Sequence, residues 1–397
     1  MQRSVLKSDG SSTGTALSAL SVAYFMLGTS TLSVVALSAS ISQELQVTGA
    51  QTGLLVTVFS LSFAAAALLS PLLVGHWPRK RLLLTGMALL MVGLLLGAVV
   101  PSFDLLLLTR LIAGIGGALV GPVISATAST LVPAEQQQQA LSRVFAGFTL
   151  STVLGIPMTS VVGPLLGWRG TLVLLSVLLL LTALFLWKQL PHVAGGQQVT
   201  LRTYQQVSRT PGLFPALFTT LLQIGSVFVL YGVIASYLTS RFGSNPAWIS
   251  ATFLSFGFAG VLGNSLVGTL NARLGNARML LFSLVGGALT LLSLLFDPGV
   301  PLAGLISFMG LSFFGQMFQT PQQERMIRLN PQARNLMLGF NSATVYLGMS
   351  MGSLLGSQLL VTLGSPLLAL PAFAMMLAGA LLTGWATRKA RIPVPSV

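Results

Sequence analysis

The sequence has no cysteine, six acidic residues and two histidines among 397 residues. The missing cysteine excludes disulfide bonds, thiolate catalysis and cysteine metal sites. His76 and His192 lie far apart in polar segments, so we expect neither a metal centre nor another cofactor. Charged residues make up 7% of the chain, whereas a soluble chain carries about 25%. This composition excludes an ordinary soluble enzyme.

Apolar residues are abundant instead, at 53% of the chain with a mean hydropathy of +0.86. A membrane-spanning helix needs about 20 predominantly apolar residues. Segment 172–186 is apolar or hydroxylic throughout, which excludes the apolar/polar alternation of a membrane β-barrel. Glycine, proline and charge breaks predict twelve helical spans: 16–38, 50–74, 81–100, 105–131, 141–166, 170–190, 213–239, 247–271, 278–296, 301–322, 336–362 and 366–387.

Basic residues far outnumber acidic ones, with 20 Lys and Arg and a formal net charge of +14. They form no stripe with interleaved aromatics, so we expect no nucleic-acid partner. If the N-terminus is cytoplasmic, only Arg110, Arg169 and Arg241 lie towards the other side. The positive-inside bias then predicts cytoplasmic termini. The polar first fifteen residues, with Arg3 and Lys7, predict no cleavable signal.

The chain carries signs of an internal duplication. Gly275, in a loop after the eighth span, follows the similarly placed Pro78 by 197 residues, and Gly352 follows Gly155 by the same number. The polar segment 191–212 divides the chain near its midpoint. We therefore predict a six-helix bundle over 1–190, a cytoplasmic linker over 191–212 and a second bundle over 213–397. Paired bundles of this kind are typical of secondary transporters.

Several segments resemble the major facilitator superfamily, specifically its bacterial twelve-span drug:proton antiporter group, which includes sugar, nucleoside and chloramphenicol exporters. The resemblance implies an all-α integral membrane fold of twelve helices in two pseudo-symmetric bundles. It also implies alternating access, efflux coupled to protons, multidrug resistance and a bacterial inner-membrane location. The segments that carry it are 51–56, 70–73, 79–82, 110–117, 155–157 and 167–169.

The sequence departs from the family pattern at two places. Between spans 2 and 3, the family's Asp and Arg are Gly75 and His76. That Asp normally pairs with basic groups and locks the outward-facing state, so the chain lacks this lock in its usual form. In span 1, Thr31 replaces an acid that related exporters often carry. We predict gating or conformational roles for Gly75, Arg79, Gly155, Pro157, Arg273 and Gly352.

None of the acids falls in the middle of a predicted span. Proton-coupled antiport usually uses a carboxylate at membrane depth, because desolvation raises its pKa into a useful range. Proton coupling is therefore implied by the resemblance and is not supported by the residues. The six acids are Asp9, Glu44, Asp104, Glu135, Asp297 and Glu324.

Arg110 is the most informative charge, because a guanidinium within a span is costly and should face water, ligand or an acceptor. We predict that it attracts an anionic or carbonyl-bearing substrate or gates proton flow; the alternative is an Arg that snorkels to the interface. Other polar side chains within spans are further candidates for substrate binding, or else make interhelical hydrogen bonds. These are Tyr24, Thr31, Gln223, Tyr231, Gln316, Gln319, Asn341 and Tyr346.

Together these observations predict a secondary active exporter of small amphiphilic neutral or anionic compounds. Its expected partners are a small-molecule substrate, membrane lipids and, through the resemblance, protons; we expect a monomer. The chain has no Gly-x-x-x-x-Gly-Lys-Ser/Thr loop and no soluble domain to hold one, which disfavours an ATP-driven pump. One alternative is a uniporter or importer of a neutral metabolite without proton coupling. A membrane enzyme or receptor is a second alternative, but no span combines His with an acid for catalysis.

Overall fold

The computed structural model of the protein describes residues 10–195, 199–297 and 299–391. Within these ranges the regular secondary structure is helical and contains no strand. Arg3, Lys7 and Asp9, together with the linker residues 196–198, lie outside them.

The helices follow the predicted spans closely. The first part of the chain contains α1 (Gly10–Ala36), α2 (Ser38–Leu45), α3 (Gly53–Leu73), α4 (Arg79–Val99), α5 (Phe103–Thr130), α6 (Gln137–Leu150) and α7 (Ile156–Gln189). A short helix, α8 (Leu201–Ser208), follows within the linker. The remainder contains α9 (Leu213–Tyr231), α10 (Ile234–Phe242), α11 (Pro246–Leu274), α12 (Asn276–Leu295), α13 (Pro301–Leu329), α14 (Arg334–Thr362), α15 (Gly364–Leu367) and α16 (Ala369–Arg391).

In the described residues, 11 continuous helical stretches are long and apolar enough to cross a membrane. The longest, Gln139–Gln189, contains Gly167 with φ 70° and ψ 164°. This backbone conformation is accessible to glycine and interrupts a helix, so the stretch makes two crossings. The prediction of twelve spans is therefore confirmed.

Three local features differ from the predicted spans. The seventh span is two helices, because the chain breaks between Tyr231 and Ile234. The fifth contains a π-helical turn, Ser151–Gly155, between α6 and α7. The tenth continues to Leu329, beyond the predicted end at 322. π-Helical turns and short breaks depend on tertiary packing and are not visible in hydropathy.

The helices before and after α8, which we call the N half and the C half, repeat one packing pattern. In the N half, α5 packs against α3, α4 and α1, while α1 also packs against α6 and α7. In the C half, α13 packs against α11, α12 and α9, and α9 packs against α14 and α16 in the same way. The α4–α7 contact likewise recurs between α12 and α16. The two halves are therefore pseudo-symmetric six-crossing bundles, as predicted.

The halves meet mainly where α3 packs against α14 and where α7 and the π-helical turn before it pack against α11, and α10 adds smaller contacts with α1 and α2. Consecutive spans run in opposite directions, so the start of α1, the linker and the end of α16 share one face, which we call the terminal face. The opposite face, the far face, contains the α2 segment and the turn at Gly167. In the α7–α11 pair, Ser160 and Ser250 bond near the far face, with their hydroxyl oxygens 3.2 Å apart.

Arginine side chains fix the far face of each half. In the N half, Arg169 donates to the carbonyl oxygens of Ala98 and Val100 at 3.0 and 2.8 Å, at the end of α4. In the C half, Arg241 donates to the carbonyl oxygen of Asp297 at 2.6 Å, just after α12. Each arginine satisfies backbone acceptors that a helix end leaves without intrahelical donors.

Candidate functional site

Arg110 lies inside the N half, seven residues or about 10 Å along α5 from its far-face end. Its side chain is 2% exposed. One terminal nitrogen, Nη2, donates a hydrogen bond to the carbonyl oxygen of Thr31 at 2.9 Å. The guanidinium carbon lies 4.7 Å from the ring centroid of Phe59, a cation–π geometry. Thr31 on α1 and Phe59 on α3 thus position the guanidinium between three helices.

The guanidinium is only partly satisfied. Its Nε and Nη1 atoms are buried and have no hydrogen-bond partner among the described residues. Within the described part of the chain, the two ion pairs join Arg169 to Glu44 and Arg328 to Glu324, and neither involves Arg110. A buried cation that is not paired with an acid is destabilising, and an acceptor or an anion that binds it offsets this cost. Arg110 therefore presents a positive charge and unused N–H donors.

Aromatic side chains connect Arg110 to the boundary between the halves. The ring of Tyr346 on α14 stacks on Phe63 of α3 at 3.4 Å between centroids and lies 6.5 Å from Phe59. The hydroxyl of Thr31 donates to the carbonyl oxygen of Leu27 at 2.7 Å. Four of the predicted binding residues, Tyr24, Thr31, Arg110 and Tyr346, thus lie together with Phe59 and Phe63, and we call these six residues the Arg110 cluster.

Tyr24 forms the edge of this cluster towards α6. Its ring lies 5.4 Å from that of Phe145 and 5.2 Å from that of Phe148, and Tyr24 precedes Thr31 by two helical turns on the same face of α1. The cluster therefore combines a cation, a few hydroxyl groups and several aromatic surfaces, a composition typical of sites for amphiphilic ligands.

A second polar group lies in the C half. Gln322 on α13 donates through Nε2 to the carbonyl oxygen of Ala216 at 2.7 Å and to the hydroxyl of Thr220 at 2.8 Å. Thr220 in turn donates to Oδ1 of Asn341 at 3.1 Å. Gln322 is fully buried, and its Oε1 has no partner among the described residues. The predicted residue Asn341 is therefore part of an interhelical hydrogen-bond network that joins α9, α13 and α14.

Gln322 and Thr220 were not among the predicted residues. The sequence signal was weak, because the predicted tenth span ended at 322 and therefore placed Gln322 at a helix terminus. Gln223, which was predicted, is 2% exposed and has an unpartnered Oε1. Its Nε2 lies towards Gly315 of α13. A polar seam thus continues along the contact between α9 and α13.

The other predicted binding residues lie apart from both groups. Tyr231 packs in an aromatic cluster, 4.7 Å between centroids from Phe256 and 6.1 Å from Phe253. The Gln316 side chain lies beside Gly260 of α11. Gln319 is partly buried and makes no hydrogen bond with the described residues. These positions suit packing within the C half as well as contact with a substrate.

The predicted gating residues near the fifth span lie at a helix irregularity. The π-helical turn ends at Gly155, whose Cα faces Thr29 of α1 so closely that a Cβ would overlap that side chain. Pro157 follows at the start of α7 and is buried. The contact with the C half involves the preceding residues, because a Cβ on Gly257 of α11 would lie 2.8 Å from the Cα of Val153.

The remaining gating candidates lie elsewhere. Gly352 of α14 contacts the backbone of Gly225, which lies in the same half. In the loop before α4, a Cβ on Gly75 would overlap the carbonyl oxygen of Pro71. Arg79 donates to the carbonyl oxygen of Ala126 and, at 3.4 Å, to the hydroxyl of Thr130. Arg273 is exposed on the terminal face and makes no hydrogen bond with the described residues.

The fold resembles that of known transporters. A bacterial homologue of the human lysosomal transporter Spinster, in an inward-facing and unoccupied conformation, superposes with a TM-score of 0.77 over 98% of this chain and 100% of the other, at 14% identity. A D-xylose-proton symporter gives a TM-score of 0.76 over 93% of this chain and 97% of the other, also at 14% identity. These likenesses establish the fold.

Sequence relatives and a match to a family model identify the family, and the family model establishes it. The inner membrane transport protein YdhP of Escherichia coli K12 is 27% identical over 347 residues, which cover 87% of this chain and 88% of the relative. The YdhP protein of Escherichia coli O157:H7 matches to the same extent. The model of the Major Facilitator Superfamily matches residues 18–233 and 216–396. The chain is therefore a membrane transporter of the Major Facilitator Superfamily and not an enzyme.

Proposed function

We propose that the protein is a secondary active exporter of small amphiphilic compounds that are neutral or anionic. The observation that carries this proposal is the buried guanidinium of Arg110, whose Nε and Nη1 have no partner among the described residues. A carboxylate or carbonyl oxygen of a substrate would satisfy these donors. A cationic substrate would be repelled, and among the described residues no acid pairs with Arg110 to offset the repulsion.

The amphiphilic character follows from the rest of the Arg110 cluster. The rings of Phe59, Phe63 and Tyr346 supply apolar surface, and the hydroxyls of Thr31 and Tyr24 supply hydrogen bonding. Tyr346 belongs to the C half and the other members to the N half. A substrate held there would contact both halves, so its binding would be sensitive to their relative orientation, as alternating access requires.

The contacts between the halves suit reversible separation. Ser353 of α14 donates to the carbonyl oxygen of Gly53 at 2.7 Å, and Ser160 bonds to Ser250. Among the described residues, neither ion pair crosses this boundary. Neutral hydrogen bonds contribute only about 0.5–1.5 kcal/mol each. Substrate binding can therefore offset the loss of several such contacts.

Orientation and organisation are part of the same proposal. The excess of basic residues on the terminal face supports cytoplasmic termini, and the similarity to an inner membrane transport protein supports the bacterial inner membrane. Export follows from the resemblance to the drug:proton antiporter group. We propose a monomer with the N half over 1–190, the linker over 191–212 and the C half over 213–397.

A second candidate is a uniporter or importer of a neutral metabolite without proton coupling. The positions of the acids favour it, because no carboxylate of the described residues lies midway along a span. Glu324 lies near the terminal-face end of α13, where Asn271 and Asn276 donate to it at 2.9 and 3.0 Å. Asp297, at the far face, accepts from the backbone of Gly299 at 2.8 Å.

Flux measurements in proteoliposomes test both candidates. We expect radiolabelled 1-naphthoate and 1-naphthamide to cross membranes that contain the protein faster than protein-free membranes, after correction for passive leak. An imposed pH gradient that drives their accumulation would support coupled export. Equal flux with and without the gradient would support the uncoupled carrier. Faster transport of 1-naphthylmethylammonium than of either compound would contradict the proposed substrate class.

A further inference from the structure

The terminal face of the C half contains a depression between α12 and α13, separate from the Arg110 cluster. Its volume is about 340 Å³, and it is lined by Leu274, Gly275, Asn276, Ala277, Arg278 and Arg328. An apolar groove of about 440 Å³ continues from it, because Leu274 and Arg278 line both. The feature therefore has a basic end at the terminal face and an apolar extension along the bundle surface.

The basic end carries positive charge that the ion pairs of the described residues do not fully neutralise. Arg278 is exposed and makes no hydrogen bond or ion pair with the described residues. Arg328 pairs with Glu324, but that carboxylate also accepts hydrogen bonds from Asn271 and Asn276. Glu324 therefore neutralises part of the charge on Arg328, and it makes no ion pair with Arg278. A phosphate between the two arginines would be electrostatically favoured.

The apolar groove has the length of a lipid chain. Arg278, Phe282, Val285 and Leu289 lie on one stripe of α12, and Phe314 of α13 forms the other wall. From position 278 to position 289 the helix rises about 16 Å, and half of the hydrocarbon core is about 15 Å thick. Phe282, Val285 and Leu289 are 44%, 48% and 60% exposed. The groove thus extends from headgroup level to the membrane centre.

The corresponding position in the N half lacks this arrangement. At the 197-residue offset, Arg278 corresponds to Arg81, whose guanidinium carbon instead lies 4.3 Å from the ring of Trp77. Arg328 corresponds to the uncharged Leu131, and the neighbouring cations Arg79 and Lys80 donate to the carbonyl oxygens of Ala126 and Leu190. Thr85 and Ala88 replace Phe282 and Val285. The basic pair and the wide apolar groove are therefore specific to one of two otherwise equivalent surfaces.

We propose that this groove binds an anionic phospholipid from the terminal-face leaflet, with its phosphate between Arg278 and Arg328 and one acyl chain along Phe282, Val285 and Leu289. The positive charges of Arg278 and Arg328 favour a headgroup with net negative charge. The apolar groove favours a lipid over free phosphate, because only the lipid has an acyl chain to fill it. The inference concerns the protein's lipid surroundings and does not depend on which substrate is transported.

Native mass spectrometry of the purified protein tests this site. Dioleoyl phosphatidylglycerol and dioleoyl phosphatidylcholine are added at equal concentration, and the bound fraction of each lipid is measured. We expect wild type to retain phosphatidylglycerol preferentially. Arg278→Ala should lower its affinity about fivefold, the effect expected for one arginine near a lipid surface. Arg278→Lys should retain most of the affinity, because the positive charge remains.

Arg81→Ala is the matched control and should leave phosphatidylglycerol binding unchanged. Val285→Trp, which fills the groove, should weaken dioleoyl phosphatidylglycerol more than dihexanoyl phosphatidylglycerol. Thermal unfolding in lipid-free detergent verifies that each variant is folded. Equal losses for Arg278→Ala and Arg81→Ala, or no loss for either, would overturn the proposal. Displacement of the lipid by an equal concentration of inorganic phosphate would also overturn it, since the site would then recognise phosphate alone.

Discussion

Ser160 of α7 and Ser250 of α11 place their hydroxyl oxygens 3.2 Å apart across the boundary between the two halves. Side chains in hydrogen-bond contact are close enough for small adjustments to bring two sulfur atoms in their place into bonding distance. The chain has no cysteine of its own, so introduced pairs can be followed without background. We therefore predict that Ser160→Cys with Ser250→Cys cross-links under mild oxidation.

The cross-link should abolish flux in proteoliposomes, and reduction should restore it, because alternating access requires the halves to separate there. Ser160→Cys with Ser265→Cys is the matched control. Ser265 lies on α11, 15 residues beyond Ser250 and therefore about 22 Å from it. This pair should neither cross-link nor lose transport. Full transport by the cross-linked Ser160/Ser250 protein would show that this contact stays closed throughout the cycle.

Gly257 supplies a second test of the same boundary. A Cβ at this position would lie 2.8 Å from the Cα of Val153 in the π-helical turn. Gly257→Val should therefore force α11 away from α7 and destabilise the closed far face by about 1–3 kcal/mol. Cysteines introduced singly at positions 160 and 250 should then react faster with a hydrophilic maleimide than in the parent. Unchanged labelling rates would show that the boundary absorbs the added side chain.

Much of the architecture could be predicted from the sequence, because hydropathy identifies the apolar helices that can span a lipid bilayer. The helix breaks at Gly167 and Gly275 could also be located from the sequence, because both glycines lie close to the end of a predicted span. In the structure both adopt positive φ values. The π-helical turn that ends at Gly155 could not be predicted. Its geometry depends on contacts with α1 and α11, which are distant in sequence.

The candidate site was only partly predictable for a similar reason. Arg110 was identifiable because a cation within an apolar run is rare. Its proximity to Tyr346 could not be derived from either local sequence, since it depends on how the halves meet. Gln322 was missed because helix ends are poorly defined by hydropathy, and α13 extends seven residues beyond the predicted end. The linker helix α8 could not be predicted either, because its residues are mostly polar and hydropathy detects only apolar helices.

Tyr204 of that linker helix contacts both halves at the terminal face. Its hydroxyl donates to the carbonyl oxygen of Leu68 on α3 at 2.7 Å, and its ring meets Phe340 of α14 edge-on at 5.4 Å. Tyr204→Phe should lower the stability by about 1 kcal/mol, the value of one hydrogen bond. Tyr204→Ala should lower it further. Equal thermal unfolding of the parent and both variants would show that the linker helix does not connect the halves energetically.

Glu44 at the far face should make stability depend on pH. Its carboxylate accepts hydrogen bonds from Arg169 at 2.8 Å and from Trp168 at 2.6 Å. The bond from Arg169, followed by that from Trp168, holds the pKa of Glu44 below its ordinary value of 4.5. Because the folded-state pKa is lowered, this stabilisation is present above about pH 4.5 and is lost as pH falls through the folded-state value.

Glu44→Gln should therefore unfold at a lower temperature than the parent at pH 7, and the difference should shrink as the pH falls below 4.5. Thermal unfolding in detergent between pH 3 and pH 7 measures both curves. Glu135→Gln is a suitable control, because Glu135 makes no ion pair among the described residues. A difference between Glu44→Gln and the parent that stays constant over this range would exclude the carboxylate as its source.

Arg110, as a buried cation without an ion-pair partner among the described residues, should select the charge of the substrate. Ligands that bind only the folded protein raise its unfolding temperature, so thermal unfolding can be measured with matched naphthalene compounds: 1-naphthoate, 1-naphthamide and 1-naphthylmethylammonium. We predict that the anion and the amide stabilise wild type and Arg110→Lys, whereas Arg110→Ala loses the preference for the anion. Strongest stabilisation by the ammonium compound, or the same order of stabilisation in wild type and Arg110→Ala, would contradict it.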